Sequence, residues 1–182
     1  MLESLAFAIL LIVLVVAAVW DLRTAVIPNW LTYPAIVAGF FLWAWHPGGM
    51  MTGLQQAAIG FAVGFVPMAF LFSLGGLGGG DVKLMGGIGA ICANWMCVID
   101  TAVYALIVAL LMAIFLMIRH RLVKRTFKRL FIAAFLALNK TKSPMPQDSP
   151  NVAFGLALAI GGTLAAMDHL LGVTLPWSQW VY

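Results

Sequence analysis

Apolar residues fill long runs along this chain, and the short stretches between the runs collect most of its polar residues. A helix needs about 20 apolar residues to cross a hydrocarbon core of roughly 30 Å. Six runs come close to that length and predict spanning helices at residues 5–20, 30–45, 54–74, 84–98, 102–118 and 152–171. The pattern predicts an all-α polytopic bundle of six transmembrane helices, with residues 1–182 forming a single integral-membrane domain.

The composition also indicates a membrane protein. Hydrophobic residues make up 64% of the 182 positions and charged residues only 9%, whereas a soluble domain carries about 25% charged residues. The first run differs from a cleavable signal peptide because its start carries Glu3 and no Lys or Arg. We therefore expect this run to be a retained helix.

The distribution of basic residues predicts the orientation of the bundle. With six helices, all ten Lys and Arg residues fall on one side: Arg23 follows the first run, Lys83 follows the third, and eight lie between residues 119 and 142. Basic loops are retained in the cytoplasm. The sequence thus predicts a multi-pass protein of the cell inner (cytoplasmic) membrane with both termini outside.

The segment after the fifth run, residues 119–150, is the predicted cytoplasmic loop. One helical face within it collects Phe127, Leu130, Phe131, Ala134, Phe135 and Leu138. Lysines and arginines surround this face, which predicts a basic amphipathic helix resting on anionic lipid, with docking of a substrate or partner as the alternative. We therefore expect the net charge of +4 to indicate contact with anionic membrane lipids rather than with nucleic acid.

Most of the remaining polar residues have structural interpretations. Asp100 precedes Thr101 and is expected to cap the start of the fifth helix. Cys92 and Cys97 are expected to be apolar packing residues in the fourth helix, since their spacing matches neither a zinc ribbon nor a disulfide framework. Three other acids lie at predicted helix ends or in a polar loop: Glu3, Asp148 and Asp168. The sequence predicts neither a metal site nor a cofactor.

Asp21 and Asp81 are different, because the predicted orientation places both at the cytoplasmic edge of the bilayer. Carboxylates near a membrane are costly and are functional candidates by default. Two close carboxylates push their pKa values apart, so that one is an acid and the other a base at the same pH. Such a pair can activate water against a peptide bond, one member taking a proton and the other donating one to the carbonyl oxygen.

The glycine-rich segment before Asp81, residues 75–80, interrupts the helical pattern. An open backbone without side chains offers hydrogen bonds to an unwound peptide beside the reacting water. The alternative is a simple loop in which Asp81 caps the fourth helix.

Two short motifs carry a family resemblance. Residues 21–23 read Asp-Leu-Arg, residues 27–29 read Ile-Pro-Asn, and residues 78–84 read Gly-Gly-Gly-Asp-Val-Lys-Leu. The chain resembles the type IV prepilin peptidase family, whose G-x-G-D motif marks intramembrane aspartyl proteases. Residues 153–159 resemble the glycine-containing start of the family's last helix, although Phe154 stands where the family has Tyr.

The resemblance implies that Asp21 and Asp81 are the catalytic residues and that Gly78 and Gly80 support the motif. It implies a prepilin or pseudopilin substrate, cut after a Gly between a short basic leader and a hydrophobic helix. The chain looks like the short, peptidase-only form found in tight-adherence pilus systems, which lacks paired C-x-x-C motifs and is expected not to methylate the new amino terminus.

Several interpretations stay open. Arg23 and Lys83 each lie two residues after an aspartate, where they could contact the substrate or tune the carboxylate charge, or simply enforce orientation at the headgroups. The main alternative function is an ion- or proton-coupled transporter that uses Asp21 and Asp81, and a catalytically silent scaffold is another. An archaeal preflagellin peptidase is the closest alternative within the protease class.

Overall fold

A computed structural model describes residues 2–119 and 153–171. These residues form α-helices joined by short turns, and they contain no strand. The helices are α1 Leu2–Thr24, α2 Asn29–Trp43, α3 Met50–Ser73, α4 Gly79–Cys92, α5 Trp95–Arg119 and α6 Phe154–Leu171. Three of them, α1, α3 and α5, are long and apolar enough to cross a membrane. The all-α class is confirmed for these residues, while the count of six spans and the orientation stay predictions. The predicted amphipathic helix lies outside the described residues.

Two compact units emerge from the contacts within the chain. The first contains residues 1–108 and 153–182, and the second contains residues 109–152. Within the described residues, the first unit holds α1 to α4, the first part of α5, and α6. The described part of the second unit is the end of α5. The candidate site lies entirely within the first unit.

α4 lies at the centre of the first unit, where it packs against α1, α2, α3 and α6. Every residue of α4 from position 84 to position 92 is buried. Glycines allow this close packing, because small residues let helix backbones approach one another in a membrane. A Cβ added to Gly89 would lie 2.1 Å from the carbonyl oxygen of Gly60 in α3. The central position of α4 fixes the place of its amino terminus, where Asp81 lies.

Large apolar side chains cover the outward faces of the helices. Ile12, Phe41 and Phe70 are 65%, 67% and 65% exposed, respectively. Helices that are apolar all round are typical of membrane spans. The exposed faces therefore support a lipid environment.

The boundary between the fourth and fifth helices differs from the prediction. α4 ends at Cys92 because Ala93 adopts a left-handed φ of 47°. Asn94 then caps α5, since its Oδ1 accepts a hydrogen bond from the backbone N–H of Met96 at 2.9 Å. The expected cap at Asp100 is wrong, because this residue is buried inside α5. The continuous apolar run hid the break, and Asn94 is its only polar marker.

Candidate active site

Asp21 lies in the last turn of α1, and its side chain is only 7% exposed. α1 ends three residues later, because Ala25 adopts a left-handed φ of 52°. The Thr24 hydroxyl donates to the carbonyl oxygen of Trp20 at 2.9 Å and to that of Val26 at 3.0 Å. This local turn ends the helix and fixes the position of the buried carboxylate.

The amino terminus of α6 holds the Asp21 carboxylate. Leu156 is the third residue of α6, and N–H groups in a first turn have no partner within their own helix. The Leu156 N–H donates to Oδ2 of Asp21 at 3.1 Å. The positive end of the helix dipole also favours a negative charge at this place. The end of α1 is therefore joined to the start of α6 through the Asp21 side chain.

Gly155 makes this contact possible. A Cβ added at this position would lie 2.9 Å from both Cγ and Oδ2 of Asp21, and 2.8 Å from Cδ1 of Ile27. Real Cβ atoms essentially never approach heavy atoms so closely. Any larger residue would push the carboxylate away from the first turn of α6.

Asp81 lies at the amino terminus of α4. Gly78 is the extended residue that precedes the helix, with φ of −79° and ψ of 144°. The carboxylate of Asp81 accepts a hydrogen bond from the backbone N–H of Gly78, as in one half of a capping box. The alternative that Asp81 is the N-cap of the fourth helix is wrong, because Gly78 is the N-cap and Asp81 is the third residue of α4.

The glycine-rich segment interrupts the helices as expected, but over a shorter range. Gly75 has a left-handed φ of 77° just after α3, and the chain becomes helical again at Gly79. Gly80 is packed tightly, since an added Cβ would lie 2.9 Å from both the Cβ and the carbonyl oxygen of Ile27. Ile27 itself is 4% exposed, and it packs between the amino termini of α4 and α6.

The two aspartates interact electrostatically. Asp81 lies ahead of the predicted fourth span, which starts at residue 84, and its pKa is raised to about 6. Burial is the largest cause, the negative charge of Asp21 is the second, and the hydrogen bond from Gly78 acts in the opposite direction. The charge of Asp21 therefore acts on Asp81, the residue with which the sequence predicts it to pair.

The two carboxyl groups lie in different surroundings. Asp81 keeps its proton to higher pH than an ordinary aspartic acid, because burial and the neighbouring charge disfavour its ionised form. Asp21 instead accepts the backbone N–H of Leu156.

Lys83 is held by α2 rather than by either aspartate. Its Nζ donates to Oδ1 of Asn29 at 2.8 Å and lies 4.7 Å from the ring centroid of Tyr33. Arg23 is exposed at the end of α1. A substrate contact or a charge-tuning role for Lys83 and Arg23 stays a prediction.

The contribution of α6 to the site was not predicted. The sequence predicts the start of the last helix near residue 152, but nothing in it assigns a role to Gly155 or to the N–H of Leu156. The one sequence signal for this contact is the glycine in the first turn of the predicted helix. A helix start without a side chain at that position leaves room for a carboxylate to reach the backbone N–H groups. Ile27 belongs to the Ile-Pro-Asn motif, to which the sequence assigns no role. The structure shows this residue packed against Gly80 and Gly155.

Two further polar pairs join α5 to α6, away from the two aspartates. Nε2 of His169 lies 3.7 Å from Oδ2 of Asp100, and the hydroxyl of Tyr104 donates to Asp168. These pairs connect α5 to α6 and are remote in sequence from the aspartate motifs. Among the described residues, no group of three His, Cys, Asp or Glu side chains could hold a metal ion.

Comparison with known proteins identifies the family. The model of the type IV leader peptidase family matches residues 8–120, which is more than half of the chain and includes both aspartates. No curated protein and no solved structure matches the chain. The suspected family is thus confirmed, and with it a peptidase activity. The chain belongs to the type IV leader peptidase family.

Proposed function

We propose that this protein is an intramembrane aspartyl endopeptidase that removes the short basic leader of type IV prepilins or pseudopilins after a Gly. The observation that supports the aspartic mechanism is the electrostatic interaction between Asp21 and Asp81, which come from the ends of two different helices. Membership of the family indicates a peptidase. The two carboxyl groups would provide the base and the acid for peptide hydrolysis.

In the proposed reaction, Asp21 acts as the base and Asp81 as the acid. Asp21 takes a proton from water, the water oxygen bonds to the scissile carbonyl carbon, and Asp81 donates its proton to the carbonyl oxygen. The tetrahedral intermediate is a gem-diol, and it collapses when Asp81 takes back a proton from one of its hydroxyls as the C–N bond breaks. The proton held by Asp21 passes to the leaving amine, so both carboxyl groups return to their starting states. The Leu156 N–H stabilises the Asp21 carboxylate before the attack.

The substrate peptide must be extended at the cut, because a helical peptide bond is closed to attack by its own hydrogen bonds. The non-helical segment between α3 and α4, with the left-handed Gly75, lies next to Asp81 in sequence and offers a backbone free of bulky side chains. A hydrophobic substrate helix in the membrane would bring its cytoplasmic end to this level. This placement rests on the predicted orientation, with the active site at the cytoplasmic face.

The test is to co-express the chain with a tagged prepilin and determine the new amino terminus by mass spectrometry. We expect cleavage directly after the leader Gly and no added methyl group. A sample expressing Asp21→Asn at the same membrane level serves as the control. A product cut elsewhere would contradict the substrate proposal, and a methylated amino terminus would contradict the peptidase-only form.

A further inference from the structure

A second feature lies at the opposite helix ends from the two aspartates. A cavity of about 460 Å³ opens between the start of α1, the end of α2 and the turn from α4 to α5. Its lining includes Glu3, Trp43, His46, Cys92 and Cys97. Glu3 and Asp21 lie at opposite ends of α1, so the cavity is separated from the aspartate pair by the length of that helix.

The two cysteine side chains meet at this cavity. The Cys97 thiol donates to Sγ of Cys92, with 3.1 Å between the sulfur atoms. A disulfide needs an S–S distance of about 2.04 Å, so the sulfurs would move together by only about 1 Å. They are the only cysteines in the sequence. The prediction that both cysteines lie in the fourth helix is wrong, because Cys92 ends α4 and Cys97 lies in the first turn of α5.

The backbone around the thiols is fixed in place. The left-handed Ala93 and the cap by Asn94 define the turn between the two cysteines. The indole N–H of Trp43 donates to the carbonyl oxygen of Ile91 at 2.8 Å, which ties the end of α4 to α2. The thiols are therefore held close by the fold before any bond forms between them.

We propose that Cys92 and Cys97 form a modification site that is oxidised to a disulfide from this cavity. The predicted orientation places this end of the bundle outside the cytoplasm, where disulfides persist. No other thiol in the chain competes for either cysteine.

The oxidant is a disulfide-bearing compound or protein, RSSR, that acts by thiol–disulfide exchange. Cys92 is 8% exposed and Cys97 is 1% exposed, so Cys92 reacts first. Its thiolate bonds to one sulfur of RSSR, the S–S bond breaks, and the first RSH leaves with one proton. The Cys97 thiolate then attacks Sγ of Cys92 and releases the second RSH with the other proton. The two cysteines are oxidised, and RSSR is reduced to two thiols.

The test counts free thiols in the full chain. Membranes are dissolved in denaturing detergent, and free thiols are labelled with a maleimide–polyethylene glycol that shifts the band on a gel, with and without prior reduction. The wild type should show no shift before reduction and two adducts after it. Cys92→Ser and Cys97→Ser should each show one adduct without reduction, and the double variant none. Two adducts on the unreduced wild type would overturn the proposal.

A second measurement tests the side from which the site is reached. Sealed right-side-out and inside-out membrane vesicles are treated with reduced glutathione, which crosses membranes poorly, before denaturation and labelling. Adducts should appear in the right-side-out vesicles only. Reduction in the inside-out vesicles alone would overturn the assignment of the cavity to the outer face. Both readouts are independent of peptide cleavage, so they do not depend on the proposed function.

Discussion

The backbone N–H of Leu156 donates to Oδ2 of Asp21 across 3.1 Å, which links the first turn of α6 to the last turn of α1. This contact joins residues that are 135 positions apart in the sequence. It makes the amino terminus of the last helix part of the candidate active site, because the Leu156 N–H holds the Asp21 side chain in place.

Gly155→Ala should reduce leader cleavage by about tenfold or more, equivalent to at least about 1.4 kcal/mol of transition-state stabilisation. The new methyl group would lie 2.9 Å from Cγ of Asp21 and would move the carboxylate. Gly162→Ala in the same helix is the matched control, since its methyl group would lie 2.9 Å from Cδ1 of Leu14 and 3.6 Å from Cγ2 of Thr101, so the crowding is similar but does not involve Asp21. Equal cleavage rates for the two variants at equal membrane levels would contradict the role of Gly155.

The neighbouring glycines before Asp81 should respond differently to substitution. Gly80→Ala places a methyl group 2.9 Å from the carbonyl oxygen of Ile27, whereas Gly79→Ala meets only the Phe72 ring at 3.6 Å. We expect Gly80→Ala to lower cleavage by about tenfold or more, and Gly79→Ala to stay within about twofold of the wild type. A gel-shift assay of leader removal measures both. A greater loss for Gly79→Ala would contradict the packing argument.

Cleavage should become slower as the pH rises through the pKa of Asp81. That pKa is raised to about 6, and the acid role requires the protonated form. The protonated fraction is large below this pH and falls about tenfold for each unit above it. The measurement is kcat/KM of the solubilised enzyme on a prepilin peptide between about pH 5 and pH 8. A constant rate over that range would contradict the acid role of Asp81.

A double-mutant cycle on Lys83 and Asn29 separates two roles for the lysine. If Lys83 acts by joining α4 to α2 through its 2.8 Å hydrogen bond, Lys83→Gln and Asn29→Ala should each lower the rate modestly. Their combined effect should then be smaller than the sum, with a coupling of about 1 kcal/mol. Loss of cleavage in Lys83→Gln alone, with Asn29→Ala unchanged, would instead favour a contact with the substrate.

Local sequence patterns predicted a large part of this molecule. Long apolar runs predicted the helices, and the turn residues around Asp21 and Asp81 predicted that these two aspartates lie at helix ends. The break at Ala93 was missed because the apolar run continues through it, and a left-handed alanine carries no sequence signal. The predicted cap at Asp100 failed for the same reason.

Tertiary relationships account for what the sequence could not predict. No residue near Asp21 in the sequence indicates a contact with Leu156. The need for a glycine at position 155 follows only from the packing of α6 against α1. The meeting of Cys92 and Cys97 likewise depends on the helix boundary between them. Single-sequence patterns report helix faces and ends, while the partners of those ends follow from packing.

Separate Asp21→Asn and Asp81→Asn substitutions, each co-expressed with a tagged prepilin at wild-type membrane levels, test the central claim most directly. Asn keeps the size of the side chain and removes the titratable proton. At position 21 its amide oxygen can still accept the Leu156 N–H. The two-carboxylate mechanism predicts that each substitution alone abolishes leader removal in the gel-shift assay. Cleavage at the wild-type rate by either variant would contradict it and would favour an ion-transport role for these residues.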